Sequence, residues 1–124
     1  MTRLSPGRGS IWGAAVLSAV MAVPALAEMR MSVRTDDGIR RTCPSMECGT
    51  IGRFYPGESV IVYESADGWS RVSRYYSAGC YEGRSSYVET GESECTAENG
   101  IRDGEFAEWM RSDSLASEDG DRAG

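Results

Sequence analysis

The chain has 124 residues, with 13 basic residues that are all arginine, 19 acidic residues, no histidine and a formal net charge of −6. Without histidine, Ser-His and Cys-His nucleophile pairs are excluded, and without lysine so is Schiff-base chemistry. An acidic chain also lacks the dense basic face that binds phosphates, so we expect no nucleic-acid partner.

The first 27 residues have the three-part layout of a secretory signal peptide. Two arginines and no acidic residue occupy the first ten positions, and an uncharged, mostly apolar run follows at residues 11–23. Pro24 then breaks the helix, and Ala25–Ala27 meets the small-x-small rule for cleavage after Ala27. No Arg-Arg pair precedes the apolar run, so the layout predicts export by the general secretory route, to the periplasm or outside the cell.

The alternative for this segment is a membrane anchor. Its apolar run of 13 residues is shorter than the roughly 20 that a helix needs to span a bilayer. We therefore expect no membrane insertion after cleavage. Removing 27 of the 124 residues leaves 97, with 11 basic and 19 acidic residues and a formal charge of −8. That length is enough for one small domain.

Short runs of β-branched and aromatic residues between turn signals predict strands in the remaining chain. The predicted strands are 29–34, 51–55, 59–63, 69–76 and 105–110, with a weak hairpin at 86–90. Residues 35–50 are predicted as a long polar loop, and the pattern as a whole predicts an all-β fold, a small partly open barrel of about five strands. The predicted domain is 28–115, with an insertion at 77–103 and a disordered tail at 116–124.

The predicted core is thin, because only 12 of the 97 residues are Val, Ile, Leu or Phe. Small exported domains commonly compensate with disulfides. The four cysteines allow three pairings, and we favour Cys43–Cys48 with Cys80–Cys95, since each bridge then closes one loop. The alternative is a four-cysteine zinc site, but the spacing of the second pair does not fit zinc fingers or ribbons.

The order of several short motifs resembles the bacterial SH3-like domain family. The motifs are Val33-Arg34, Ile51-Gly52, Pro56-Gly57-Glu58, Val60-Ile61-Val62, Asp67-Gly68-Trp69, Val72, Ala107-Glu108-Trp109-Met110 and Ser114-Leu115. The resemblance implies a partly open five-stranded barrel with a closing strand and a helical turn. It also implies binding to cell-wall peptides or proteins, often as a targeting module of a wall hydrolase, although we expect no hydrolase domain here. Two departures are Glu108, where the family usually has glycine, and the insertion.

Strand alternation predicts that Trp69 faces away from Val72 and is exposed. We therefore predict an aromatic groove with an acidic rim, which suits an extended peptide carrying a positive group. The predicted ligand-binding residues are Tyr55, Trp69, Tyr75 and Trp109, with Asp36, Asp37, Glu47 and Asp67 at the rim. The alternative is that these rings replace missing aliphatic residues in the core.

The insertion is acidic but matches no established calcium-binding pattern, so we interpret it as a solvated loop and expect no metal or cofactor. The leading functional prediction is an exported, non-catalytic binding module, and no enzyme activity is expected. One alternative is an interaction subunit whose insertion docks onto another exported protein. Another is a small inhibitor or accessory factor of an exported enzyme.

Overall fold

A computed structural model describes residues 28–118 of the chain. The predicted signal peptide at 1–27 and the last part of the predicted tail, 119–124, lie outside the described residues. Between these limits the chain is all-β, which confirms the predicted fold class. The strands are β1 (Met29–Val33), β2 (Gly38–Arg41), β3 (Thr50–Phe54), β4 (Ser59–Val62), β5 (Glu64–Ala66), β6 (Trp69–Arg71), β7 (Tyr76–Ser77), β8 (Cys80–Tyr81), β9 (Arg84–Ser85), β10 (Glu105–Phe106), β11 (Trp109–Arg111) and β12 (Leu115–Ser117).

The strands of residues 28–118 form four antiparallel sheets, none of which closes into a barrel. The strand orders are β12-β1-β4, β3-β2-β11-β6-β5, β10-β7 and β8-β9. Only Tyr63 separates β4 from β5, and a 3₁₀ helix, Ser112–Ser114, joins β11 to β12. The chain therefore passes four times between the three-stranded and the five-stranded sheet, after β1, β3, β4 and β11, and the first core lies between them.

This first core consists of aliphatic residues that face inward from both sheets. Its buried members are Val33, Val60, Val62, Val72, Met110 and Leu115, with Met31 and Phe54 packed at its edge. In β4 the two valines stand at alternate positions, as expected for a strand with one buried face. The predicted strands around positions 29–34, 51–55 and 59–63 are present as β1, β3 and β4.

Strand β2 lies inside the segment predicted as a polar loop, 35–50. Its only large apolar residue is Ile39, so its sequence carries almost no strand signal. Pairing makes it a strand, because β3 lies on one side and β11 on the other. Gly38 permits the close approach to β3, since a Cβ there would lie 2.5 Å from the carbonyl oxygen of Phe54.

The predicted strands 69–76 and 105–110 are each split in two. β6 pairs with β11, and β7 pairs with β10. Between these two pairings, residues 72–75 on one side face only residues 107–108 on the other. The extra residues on the first side interrupt the ladder as a bulge does.

The insertion, residues 77–103, builds a second small core. Ile51 of β3 is buried against Ala78, Ile101 and Phe106. The Tyr76 ring packs on Phe106 with centroids 4.9 Å apart. The insertion is therefore an extension of the folded domain, and its hairpin is β8–β9 rather than the predicted 86–90.

Asn99 joins this insertion to the loop between β2 and β3. Its Oδ1 accepts hydrogen bonds from Thr42 Oγ1 (3.0 Å) and from the Gly49 backbone N–H (2.9 Å). Its Nδ2 donates to the carbonyl oxygens of Glu92 (2.9 Å) and Glu94 (3.1 Å). All four hydrogen-bonding positions of the amide are thus used, and the residue is only 2% exposed.

Both predicted disulfides are present. Cys43–Cys48 and Cys80–Cys95 have Cα–Cα distances of 5.6 and 6.3 Å, and no free cysteine remains in the described part of the chain. This confirms the favoured pairing and removes the zinc alternative. Two disulfides in a small domain are typical of an oxidising environment.

The C-terminal boundary lies later than the sequence predicts. Ala116 and Ser117, assigned to the disordered tail, belong to β12 and pair with Ser32 and Met31 of β1. Backbone pairing requires no apolar side chain, so the polar composition of this segment concealed the strand.

Candidate ligand-binding site

The candidate site lies on the face of the five-stranded sheet that points away from the first core. Cross-strand partners share a face. Trp109 of β11 is paired with Arg41 of β2 and Arg71 of β6, and Arg111 is paired with Trp69. This outer face of an acidic protein therefore carries three arginines around two tryptophans.

The loop closed by Cys43 and Cys48, here called the disulfide loop, borders two depressions on this face. Its residue Met46 lines one of them, and Pro44 lines the other. Arg41 anchors the loop, because its Nη1 donates to the carbonyl oxygen of Cys48 at 2.9 Å.

The first depression, here called the Trp69 depression, has a volume of about 290 Å³. It combines an apolar floor with charges of both signs. It is lined by Asp37, Ile39, Arg41, Met46, Trp69, Arg111, Asp113 and Ser114. Met46, 60% exposed, and the partly exposed Arg111 and Asp113 keep it open to solvent.

The second depression, here called the Trp109 depression, has a volume of about 330 Å³ and lies between the sheet, the disulfide loop and the insertion. Its walls are mostly uncharged. They are formed by Thr42, Cys43, Pro44, Tyr75, Ala97, Gly100, Arg102, Glu105, Ala107 and Trp109.

The four predicted groove aromatics are not brought together in one groove. Trp69 lines its own depression, and Tyr75 and Trp109 share the second. Tyr55 lines a third depression, with the Arg53 guanidinium 5.2 Å from its ring centroid.

The predicted acidic rim is also divided. Asp37 lines the Trp69 depression, whereas Glu47 lines a different, acidic depression beside three glutamates of the insertion. Asp36 and Asp67 lie outside these depressions. The carbonyl oxygen of Asp36 accepts a hydrogen bond from the Arg53 guanidinium, and Asp67 occupies the turn between β5 and β6 with φ of 52°.

The predicted exposure of Trp69 is wrong, because the residue is only 8% exposed. Trp69 lies on the face opposite the first core, as alternation predicts, but this face is covered. The Arg111 guanidinium lies 5.6 Å from the Trp69 ring centroid, and Met46 of the disulfide loop lines the same depression. Trp109 is buried as well, so both rings form floors rather than projecting surfaces.

A polar centre links β2 to β7 through Glu108, the residue before β11. Arg40 Nη1 donates to Glu108 Oε1 at 2.6 Å, and the Tyr76 hydroxyl donates to Glu108 Oε2 at 2.6 Å. The Arg40 guanidinium also lies 4.6 Å from the Phe54 ring centroid. Glu108 therefore has a structural role here.

The Tyr76 hydroxyl makes the stability of the fold decrease at alkaline pH. Burial, and then the hydrogen bond to the Glu108 carboxylate, raise the pKa of Tyr76 well above its usual value of 10.0. The unfolded chain loses this proton near pH 10 while the folded chain keeps it, so stability is present below that pH and falls above it. In urea titrations from pH 9 to pH 11.5, Tyr76→Phe is expected to flatten this fall, and the exposed-site control Tyr55→Phe is not. Equal slopes for Tyr76→Phe and the wild-type chain would contradict the assignment.

Several residues of the site escape sequence reasoning. Arg111 and Asp113 resemble ordinary surface charges, and Arg41 belongs to a segment predicted as a loop. The signal that could have found Arg111 is its alternation with Trp109 on one strand. The position of Asn99 as the link between two loops has no local signal.

No protein-family model matches the chain, and no curated protein or solved structure shows significant similarity to it. Among residues 28–118, no helix has the length and apolar character needed to cross a membrane. Over the same residues, no three His, Cys, Asp or Glu side chains are grouped so that they could hold a metal ion.

Proposed function

We propose that this chain is an exported, non-catalytic binding module that recognises cell-wall (peptidoglycan) peptides or an envelope protein through the Trp69 depression. The observation that carries the proposal is the make-up of this depression. It has an aromatic and aliphatic floor, Trp69 and Ile39, and charged side chains of both signs at its wall. Pockets of this kind hold an apolar group and orient it through a few polar contacts.

Export is proposed from the layout of residues 1–27, with cleavage after Ala27 and a periplasmic or secreted product. The two disulfides support it, because such bridges persist in oxidising compartments.

Membership of the bacterial SH3-like family is likewise a proposal. One support is the five-stranded antiparallel sheet. The other is the 3₁₀ helix Ser112–Ser114 between β11 and β12, because the resemblance implies a closing strand and a helical turn at this position. The second core around Phe106, to which the insertion contributes Ala78 and Ile101, distinguishes this chain from the family pattern.

A non-catalytic role is supported by the chemistry of the side chains. The chain has no histidine and no lysine. Tyr76 is hydrogen-bonded to Glu108, and its pKa is raised rather than lowered, which moves it further from proton transfer near neutral pH.

The two tryptophans of residues 28–118 make this proposal directly testable, because each lies in a different depression. We expect peptidoglycan stem peptides to shift the indole N–H resonance of Trp69 in a ¹⁵N-labelled sample and to leave that of Trp109 in place. Met46→Glu, at an exposed wall position, should weaken binding about tenfold or more, because it places a charge on the apolar wall. No movement of Trp69 at millimolar peptide, or movement of Trp109 alone, would overturn the proposal.

A second candidate is an interaction subunit that binds through the insertion. The observation in its favour is Tyr81, which is 74% exposed at the β8–β9 hairpin, since tyrosine is enriched at protein interfaces. Tyr81→Ala serves as the matched variant to Met46→Glu. If capture of an envelope protein is lost with Tyr81→Ala and kept with Met46→Glu, the second candidate replaces the first.

A further inference from the structure

The Trp69 depression differs in charge from the chain that carries it. The chain has a formal charge of −6, yet this depression is lined by two arginines, Arg41 and Arg111, and two carboxylates, Asp37 and Asp113. A purely anionic or purely cationic ligand would meet two like charges in it. A ligand carrying both charges would meet complementary groups at both ends.

Two of these four groups have capacity to bind a ligand. The Arg41 guanidinium donates one hydrogen bond, from Nη1 to the Cys48 carbonyl oxygen, and its other N–H groups have no partner among residues 28–118. Asp37 uses its backbone, because its N–H donates to Thr35 Oγ1 and its carbonyl oxygen accepts from Ser114 Oγ. Its carboxylate has no hydrogen-bond partner in the same described range.

The other two charged groups, Arg111 and Asp113, form only a weak ion pair with each other. Arg111 Nη2 lies 3.5 Å from Asp113 Oδ2, and both side chains are substantially exposed. An exposed pair of this kind contributes little and exchanges readily with a ligand charge. The Arg111 guanidinium is placed over the Trp69 ring instead, with 5.6 Å to the centroid.

The two carboxylates of the depression lie at one end of β2, and Arg41 lies at the other end. Asp37 precedes β2, Ile39 lies within it, and Arg41 ends it. The hydrogen bond from Ser114 Oγ to the Asp37 carbonyl oxygen, 3.0 Å, places Asp113 and Asp37 at the same end. Asp37 and Arg41 are four positions apart in the sequence, which corresponds to roughly 13 Å between their α-carbons in extended chain.

We infer that the Trp69 depression binds a short zwitterionic peptide segment. Its ammonium group lies toward Asp37, its carboxylate lies toward Arg41, and its apolar side chain packs on Trp69, Ile39 and Met46. Once the reach of both side chains is subtracted, the spacing fits a ligand of about two or three residues. This inference rests on the proposed function and specifies its ligand class.

The test removes one charge at a time from ligand and protein. The probes are trialanine, its N-acetyl derivative, its C-terminal amide and the doubly capped form, titrated against the full chain after signal removal. Capping either end is expected to weaken binding about tenfold, and capping both ends about a hundredfold, because each cap removes one charge-assisted contact. The Trp69 indole resonance reports that binding occurs in this depression.

Variants then assign each end. Asp37→Asn should weaken binding of trialanine about tenfold and leave the affinity for N-acetyl-trialanine unchanged. Arg41→Gln should weaken trialanine in the same way and leave the amide unchanged, whereas a general disturbance of the disulfide loop would lower all four affinities equally. The controls, Asp103→Asn and Arg74→Gln, lie outside the depression and should change none of them.

Different results would contradict the zwitterionic ligand class and the proposed function. If the capped peptides bind as tightly as trialanine, or if trialanine does not bind, the zwitterionic ligand class is wrong even when stem peptides still shift Trp69. If neither stem peptides nor trialanine move Trp69, the proposed function itself is wrong. The capping series needs only the wild-type chain, so it decides the question even if Arg41→Gln fails to fold.

Discussion

Replacing Asn99 by aspartate is expected to lower the free energy of unfolding by about 4 kcal/mol. The Asn99 amide nitrogen donates to two carbonyl oxygens, those of Glu92 and Glu94. A carboxylate in its place would have no proton to donate and would face both oxygens from a site only 2% exposed. The measurement is urea unfolding followed by tryptophan fluorescence.

Two further variants separate hydrogen bonding from charge. Asn99→Ala loses the same contacts without burying a charge, and about 3 kcal/mol is expected. Glu98→Gln, at an exposed neighbouring position, should stay within about 0.5 kcal/mol of the wild-type chain. A loss below about 1 kcal/mol for Asn99→Asp would show that the insertion does not depend on this contact.

Replacing Glu108 by alanine is expected to cost about 3 kcal/mol, because it leaves the mostly buried Arg40 guanidinium without its counter-ion. The Nε atom of Arg40 is already buried without a hydrogen-bond partner among residues 28–118, so no neighbouring acceptor is available to replace the Glu108 carboxylate. The Tyr76 hydroxyl also loses its acceptor. Chemical denaturation near neutral pH measures the loss.

The matched variants divide this effect into charge and packing. Glu108→Gln keeps one oxygen that accepts from Arg40, places an N–H donor against the Tyr76 hydroxyl oxygen and removes the charge, and should cost about 1 to 2 kcal/mol. The double variant Arg40→Met with Glu108→Leu should recover about 1 to 2 kcal/mol of the loss seen in Glu108→Ala, since an apolar pair avoids desolvating two charges while the Tyr76 hydroxyl still lacks its acceptor. If the double variant were as unstable as Glu108→Ala, the ion pair would not be the cause.

Sequence reasoning predicts the strands whose burial is local and regular. In β4, Val60 and Val62 alternate with more exposed residues, and the strand lies where alternation places it. Strand β2 has only Ile39 as a large apolar residue, and it exists because two neighbours pair with it. Tertiary pairing of that kind leaves no periodic signal in the segment itself.

The candidate site is predictable in its residue types but not in its assembly. The sequence identifies four of the lining residues as candidates, but they line two separate depressions. Asp37 and Trp69 line the first, and Tyr75 and Trp109 line the second. The separation depends on contacts over long distances in the chain. One of them joins Ser114 to Asp37 across 77 positions, and no spacing rule reports such a contact.

The pairing of β1 with β12 has a consequence for how the domain is attached to other chains. Met31 lies opposite Ser117, so the two ends of the described fold emerge side by side, roughly one strand spacing apart. A domain with adjacent ends is suited to circular permutation and to insertion into a surface loop of a host protein. The domain can therefore be inserted into a surface loop of a host protein without separating the two ends of that loop.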